Sequence, residues 1–410
     1  MKKIAFIKIG TFSGKNDFVL KFFEEYFPNV DVEIVDIWKD LVPYVSFDNW
    51  ACALHEYGPR VLWNNYATAV LRTNHLFEKV RRSLSRRLNP SDFLFSFQTG
   101  SFFDCSLEDV PHFVYTDASQ AGITRQFSLA REPLGAFMWH EIFQSAKPGW
   151  IERIRKEIAM DIQIDFVHNP HKFAREKIIY DRAARIFAMS DYNRQVLIDD
   201  YRCAVDKVVC VYSGAHIRPG EVDPPRPYER KNILFIGSEW ERKGGPELAA
   251  AFIKVKDVHP QASLTVIGCS PPLRIDRCRV LGKLSPEEVA QHYRQASVFC
   301  VPSRVEAFGN VFIEAQYFKL PVVTTRTGAL PEIVAEGRSG TLVPPRDSGA
   351  LAAALIDLLN NPQRCVEWGQ AGEMLMRQRY AWKETGTKMF ECIQQSLNAK
   401  IDFPDPVSER

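Results

Sequence analysis

The chain has no long apolar run. No stretch reaches the ~18 residues that a membrane-spanning helix needs, and the opening segment, residues 1–8, is too short and too broken by lysine for a secretory leader. It reads instead as a first strand. Paired cysteines are also missing. The nine cysteines among 410 residues are scattered, with no Cys-x-x-Cys and no Cys/His spacing suited to a metal. Cys210, Cys269 and Cys300 fall in apolar strand-like runs, where a cysteine is a small buried hydrophobe. Such usage fits a reducing cytosol, and no metal site is expected. Excess charge is absent as well: a net charge of +2 gives no whole-chain case for a nucleic-acid partner. Internal repeats and low-complexity tracts are lacking. The two best-known nucleotide fingerprints are missing too. Gly10-Thr-Phe-Ser-Gly-Lys15 has one residue too few between its glycines for a phosphate-binding P-loop, and Asn16 stands where a magnesium-binding Ser or Thr belongs. No G-x-G-x-x-G follows the first strand.

What remains is an ordinary soluble composition, 46% apolar and 25% charged, in a chain long enough for two domains. Buried-type strands at 4–9, 32–35, 93–97, 113–115 and 186–189 alternate with helical patterns such as 17–26 and 150–161. Strands alternating with helices predict an α/β, parallel, doubly wound sheet. Residues 217–230, R-P-G-E-V-D-P-P-R-P-Y-E-R after Ile217, are rich in proline and charge and read as a linker. A new strand at 232–237 opens a second α/β unit, with further strands at 263–267 and 298–301. The expected division is 1–216, a linker 217–230, a second domain 231–385 and a closing segment 386–410. Two such sheets facing each other would bind a ligand at the carboxyl ends of their strands.

The most telling segment is Ser303 to Glu314, S-R-V-E-A-F-G-N-V-F-I-E. Glu306 and Glu314 are separated by seven residues, with a Phe308-Gly309-Asn310 turn between them. A helix is predicted to begin near Asn310 or Val311. Its free N–H groups and positive dipole end suit a phosphate. Glu306 lies in the preceding loop and Glu314 about one turn inside the helix. Two acids flanking a phosphate site fit the ends of a nucleotide-sugar, with Glu306 toward the sugar and Glu314 toward the ribose hydroxyls. Glu306 also has a plainer reading as an acid at a helix start, favourable by about 0.3–1 kcal/mol. Glu314 could equally be an exposed helix residue, although Ile313, Ala315, Tyr317 and Phe318 make this helix apolar on several sides. An ionised acid buried there is costly without partners.

The segment and its flanks resemble the E-x7-E signature of retaining glycosyltransferases of the GT-B fold, in particular glycosyltransferase family 4. A strand, residues 296–302, runs in. Leu320-Pro-Val-Val-Thr-Thr, Gly328-Ala-Leu-Pro-Glu332 and Gly340-Thr-Leu-Val follow in the family's order. The likeness is good over 232–382 and loose before it. It implies two Rossmann-like domains across a cleft, acceptor binding in the first and nucleotide-sugar binding in the second. It implies a last helix, 382–397, crossing back to the first domain. It further implies a UDP- or GDP-sugar donor, no required cofactor or metal, and retention by front-face attack. Lys243, before Gly244, matches the family's phosphate-clamp lysine. The family's arginine usually follows the strand-end glycine, where this chain has Ser238; Arg242 is a candidate substitute. Gly282 matches a backbone contact to the base. Phe308, Gly309, Asn310 and Val311 complete the donor site. A catalytically silent member that binds nucleotide-sugar or scaffolds a partner is the competing reading.

In the N-terminal half, Gln98, Thr99 and Gly100, and then Asp117, follow apolar strands, so Gln98 and Asp117 are candidates to face the anomeric centre. Asp117 reads equally well as a cap on the next helix. Some relatives carry a histidine near position 98 and this chain does not. Between Leu71 and Leu88, an apolar stripe of Leu76, Phe77, Val80, Leu84 and Leu88 runs beside Arg72, Lys79, Arg81, Arg82, Arg86 and Arg87. Two readings are open. One is a basic helix making peripheral contact with an anionic cytoplasmic membrane face, with a lipid-linked acceptor. The other is a structural wall with a solvated basic face and a soluble glycan or small-molecule acceptor.

Overall fold

A computed structural model describes residues 2–9, 15–41, 51–52, 54–55, 73–129, 170–217 and 227–397. The expected helix at 150–161, most of the P-loop-like stretch, the start of the basic helix, most of the linker and the last residues of the tail lie outside them.

Two six-stranded parallel sheets form the frame. The first holds β1 (Lys3–Lys8), β2 (Val32–Asp36), β3 (Phe93–Thr99), β4 (His112–Thr116), β5 (Arg185–Ala188) and β6 (Val208–Cys210), in the order β2-β1-β3-β4-β5-β6. The second holds β7 (Asn232–Ile236), β8 (Ser263–Ile267), β9 (Cys278–Gly282), β10 (Val298–Val301), β11 (Val322–Thr325) and β12 (Gly340–Val343), in the order β12-β11-β10-β7-β8-β9. Their unbroken apolar runs, such as Ile4-Ala-Phe-Ile7 and Val298-Phe-Cys-Val301, are fully buried. That is what parallel strands covered by helices on both faces require.

Each order reverses once: between β1 and β3 in the first sheet, and between β7 and β10 in the second. Connections leaving two neighbouring strands at such a point go to opposite faces, which opens a crevice at their carboxyl ends. Both crevices matter below.

The first domain packs through an aromatic cluster. Phe23 meets Phe6, Phe97 and Phe95 at centroid distances of 5.8, 5.4 and 6.1 Å. The last described helix, Trp382–Ser396, extends this cluster. Trp382 stacks on Phe18 at 3.8 Å and its Nε1 donates to the Ala215 carbonyl at 2.9 Å, while Phe390 packs on Tyr26 at 5.3 Å. Gly214 must stay bare, since a Cβ there would lie 2.6 Å from the Trp382 ring. The chain therefore returns from the second sheet to the first helix, Lys15–Tyr26, as the family likeness implies.

The basic helix runs from Asn74 to Arg87, capped by Thr73, whose hydroxyl accepts from Leu76 N–H at 3.1 Å. Leu76, Phe77, Val80, Leu84 and Leu88 are all buried in the first domain's core. The apolar stripe is thus occupied by protein. Arg81, Arg82, Arg86 and Arg87 are exposed. Insertion of this helix into a bilayer through its apolar face is excluded, and only its cationic face is free to meet a surface.

Candidate active site

The second sheet's reversal brings together the loops after β7 and β10. Gly244, at φ +72°, is where they touch: a Cβ on it would stand 1.8 Å from the Pro302 carbonyl oxygen. Only glycine allows that approach. With the loops pressed together, Lys243 Nζ donates to Glu306 Oε2, and Ser303 Oγ donates to the same oxygen at 3.1 Å. Both charged side chains are buried. Burial pulls the Lys243 pKa down against the pull of Glu306. Burial also pushes Glu306 upward, but Lys243 and Arg242 outweigh it and hold the carboxylate below its ordinary range. The pair is ionic, and neither partner could remain charged there alone. Arg242 lies along the same loop. Its Nη1 donates to the Val305 carbonyl at 2.8 Å, and it pairs with Glu239. Ser238 is exposed just beyond the end of β7.

The helix predicted near Asn310 runs from Asn310 to Tyr317, entered through Gly309 at φ +106°. Phe308 is buried against Tyr380, with ring centroids 6.2 Å apart. Asn310 Nδ2 meets His216 Nε2 at 3.2 Å, and its buried Oδ1 has no hydrogen-bond partner among the described residues. Glu314, one turn in, is buried. It accepts from Tyr293 Oη at 3.0 Å and from the backbone N–H groups of His216 and Ile217. Burial nevertheless pushes its pKa up to about 7. The helix is apolar enough to bury an acid, as its sequence indicated. Val311 offers its carbonyl to Tyr293 Oη at 3.2 Å.

In the same sheet, Gly237 and Gly268 directly follow β7 and β8, and Gly282 ends β9. Gly237 N–H donates to Ile267 O at 2.9 Å and Gly268 N–H to Gly282 O at 2.6 Å, and a Cβ at Gly268 would meet Gly237 O at 2.8 Å. Three adjacent strand ends thus form a shelf without side chains, of which the sequence reading named only Gly282.

Across the cleft, Asp117 pairs with Lys15 at 2.9 Å, and the Lys15 side chain is buried. Thr99 Oγ1 donates to Asn16 Oδ1 at 2.7 Å, and Gly100, at φ +80°, donates its N–H to Tyr115 O at 2.8 Å. These residues stand at the carboxyl ends of β1, β3 and β4, the first sheet's own reversal point. Asp117 does not cap the next helix. The helix Gln120–Leu129 is met by Ser119 Oγ, which accepts from Gly122 N–H at 3.3 Å, and by Glu176, which accepts from Gln120 N–H at 2.8 Å.

Gln98 is a correction. Its Nε2 donates to Gly100 O and Phe103 O at 2.7 and 3.2 Å, and its Oε1 accepts from Cys105 N–H and His112 Nε2 at 3.2 and 2.8 Å. All four hydrogen-bonding positions of the amide are used inside the domain, so none is left for the anomeric centre. Burial holds His112 near 4, hence neutral, with Nε2–H toward Gln98 and Nδ1 accepting from Ser96 Oγ at 2.8 Å.

Beyond the His216 contacts already given, two further direct contacts between the domains stand near the site among the described residues, and the sequence reading missed both. Glu332 accepts from Asp191 N–H and Tyr192 N–H at 2.8 and 2.6 Å, at the start of the helix Asp191–Asp199 of the first domain. Gln126 accepts from Glu306 N–H at 2.8 Å. Lys15 was also missed, having been seen only as part of a failed P-loop.

Residues 230–361 match the family model described as Glycosyl transferases group 1. Over those residues the chain is similar to that glycosyltransferase family. A D-inositol 3-phosphate glycosyltransferase of Corynebacterium efficiens is 32% identical over 193 residues, 43% of this chain and 45% of the relative. The chain spans about half the length of the curated relatives it matches. Among solved structures, sucrose-phosphate synthase from Thermosynechococcus elongatus aligns with a TM-score of 0.64 at 17% identity, over 96% of this chain and 99% of that one. HepE from Anabaena, solved with UDP and glucose, aligns with a TM-score of 0.57 at 13% identity, over 96% and 100%. These likenesses show the fold: two parallel Rossmann-like sheets in the GT-B arrangement.

Proposed function

We propose that this protein is a retaining glycosyltransferase that moves a hexose from a UDP- or GDP-sugar to a glycan, lipid-linked or small-molecule acceptor. The observation that carries this reading is the buried Lys243–Glu306 pair at the β7/β10 reversal, beside the N-terminus of Asn310–Tyr317. In this reading the donor diphosphate rests on Lys243, on Arg242 and on the N–H groups of Gly309 to Val311. The base lies on the glycine shelf near Gly282 and Ser238, and Glu314 takes the ribose hydroxyls. Binding would exchange partners. The diphosphate replaces Glu306 beside Lys243, and the freed carboxylate turns to the sugar hydroxyls.

In the reaction, the bond from C1 to the leaving phosphate oxygen breaks and the acceptor oxygen bonds to C1 on the same face. The acceptor proton passes to the departing phosphate. The growing phosphate charge is met by Lys243, Arg242 and the helix N–H groups, so the step requires no metal. Residues 1–216 would bind the acceptor, with Thr99, Gly100 and Asp117 nearest the anomeric centre, and Lys15 holding Asp117. Residues 231–385 would bind the donor, and 386–410 would tie the two together. We place the enzyme in the cytoplasm. The exposed arginines of Asn74–Arg87 support electrostatic contact with an anionic membrane and hence a lipid-linked acceptor.

Exposed Ser238 favours one competing reading, a silent nucleotide-sugar binder, because it leaves the phosphate site one cation short of the family pattern. A thermal-shift panel of UDP-, GDP-, ADP- and CMP-sugars tests binding. A ligand at about 100 times its Kd stabilises by about 2.7 kcal/mol. Donor turnover by the protein then separates enzyme from binder, and no shift with any of the four would refute both.

A further inference from the structure

The acid at the centre of the site is held by the other domain. Gln126 lies on the helix Gln120–Leu129 of the first domain and is 4% exposed. Its Oε1 accepts the N–H of Glu306 at 2.8 Å. The facing loop packs against the same place: a Cβ on Gly328 would stand 2.5 Å from Glu306 O and 3.0 Å from both polar atoms of the Gln126 amide. Gly328, the Glu306 backbone and the Gln126 amide therefore meet closely, with room for no side chain between them.

The amide's orientation follows from this bond: a backbone N–H can only donate, so Gln126 presents Oε1 to Glu306. The Tyr192 side chain is a second neighbour of the amide. Tyr192 Oη in turn donates to Gly122 O at 2.8 Å, one helical turn before Gln126. Tyr192 N–H donates to Glu332, which follows Gly328 on the facing loop. A buried amide so oriented costs free energy unless its partner is present. Its partner here is the backbone of the residue proposed to recognise the sugar.

We propose that Gln126 is a positioning residue for donor-sugar recognition: through the Glu306 N–H, the acceptor-side domain sets where the Glu306 carboxylate points. This rests on the donor-site reading given above. It commits to a sugar-specific effect, because Glu314 and the glycine shelf, which would hold the nucleoside, make no contact with Gln126. Gln126→Met keeps the volume and removes the acceptor.

The experiment has two arms on the full-length chain. The first is hydrogen exchange over 303–309. Gln126→Met should accelerate exchange of the Glu306 amide by about five- to tenfold, the loss of one hydrogen bond, while Tyr192→Phe, which keeps Oε1, should change it less. The second is calorimetry with a UDP- or GDP-sugar and with the matching nucleotide diphosphate. The ratio of the two affinities isolates the sugar. Gln126→Met should cut that ratio at least fivefold and leave nucleotide diphosphate affinity within twofold. A general structural loss would weaken both ligands alike and overturn the proposal, as would an unchanged ratio or unchanged exchange. Where Gln126→Met does not fold, Gln126→Asn shortens the reach by one methylene and is read the same way. A wild-type protein that binds nucleotide-sugar without turning it over defeats the transferase reading, yet leaves the ratio measurable. A wild-type protein that binds none defeats both.

Discussion

On the proposed reading of the donor site, Glu314 would make nucleotide binding depend on pH in a direction opposite to the protein's stability. Burial raises its pKa from 4.5 to about 7, against the hydrogen bonds from Tyr293, Ile217 and His216. A folded-state value above the unfolded one means that the carboxylate form is penalised in the native state. The penalty is absent below about pH 4.5 and complete above about pH 7. On this shift, Glu314 costs the folded protein about 3 kcal/mol at alkaline pH, and that cost is relieved as pH falls through 7. Nucleotide binding runs the other way. Ribose hydroxyls donate, so they need the carboxylate. From about pH 8 to pH 6 the ionised fraction falls from about nine-tenths to one-tenth, and affinity should fall about tenfold, or about 1.4 kcal/mol. The assay is calorimetry with an intact nucleotide-sugar, whose diphosphate does not titrate in this range. Glu314→Gln should bind more weakly, by about 1.5–3 kcal/mol at pH 8, and should show no slope. A slope that survives in Glu314→Gln would belong to another group. A wild-type affinity constant across this range would refute the reasoning.

The other predictions concern the ion pair, the closing helix and the basic face. Lys243→Met leaves Glu306 buried without a counter-charge and should destabilise by about 3–5 kcal/mol in urea unfolding, with most of the loss recovered in Lys243→Met/Glu306→Gln. Lys243→Ala should lower kcat more than it raises the Kd of the donor, because phosphate charge grows in the transition state; unchanged turnover would pass the clamp to Arg242. Trp382→Ala removes the stack on Phe18 and the bond to Ala215. It should cost about 3–5 kcal/mol and expose the last helix to limited proteolysis. Replacing Arg81, Arg82, Arg86 and Arg87 with Gln should abolish co-sedimentation with anionic vesicles at low salt, at about 1 kcal/mol per residue, without lowering the Tm. A wild-type protein that ignores such vesicles would favour a soluble acceptor.

How much of this was legible in the sequence depends on how far apart the partners lie. Glu306, Gly309, Asn310 and Glu314 were readable because one loop and one helix start carry them all. Lys243 was readable because it follows a strand end, and strand ends meet at a reversal point whatever lies between. Gln98 failed for a local reason. Ser96 and Gln98 alternate onto one face of β3, beside His112 on β4, and this polar trio on an otherwise apolar sheet was a sign of an internal network. Two contacts had no sequence signal at all. Gln126 meets Glu306 across 180 positions, and Glu332 meets Tyr192 across 140. Gln126 sits in no motif, and Glu332 closes the 328–332 loop of the family pattern without naming its partner; each bonds a backbone group, which every residue offers.

The same distance argument explains the charge layout of the cleft. Among the described residues, each sheet has a buried lysine near its reversal point, Lys15 in the first and Lys243 in the second, and each is neutralised by an acid from a loop at the carboxyl end of the same sheet, Asp117 after β4 and Glu306 after β10. A buried lysine without such a partner would lose its proton or resist folding. Without a donor, both walls are therefore neutral at these points. On the proposed reading, a diphosphate entering the second crevice would take over the counter-charge of Lys243, and the acid it displaces would stay held at its backbone by Gln126. Phosphate binding and sugar recognition would then be one exchange. A nucleotide diphosphate lacking the sugar would strand Glu306 between a partner it has lost and one that is missing.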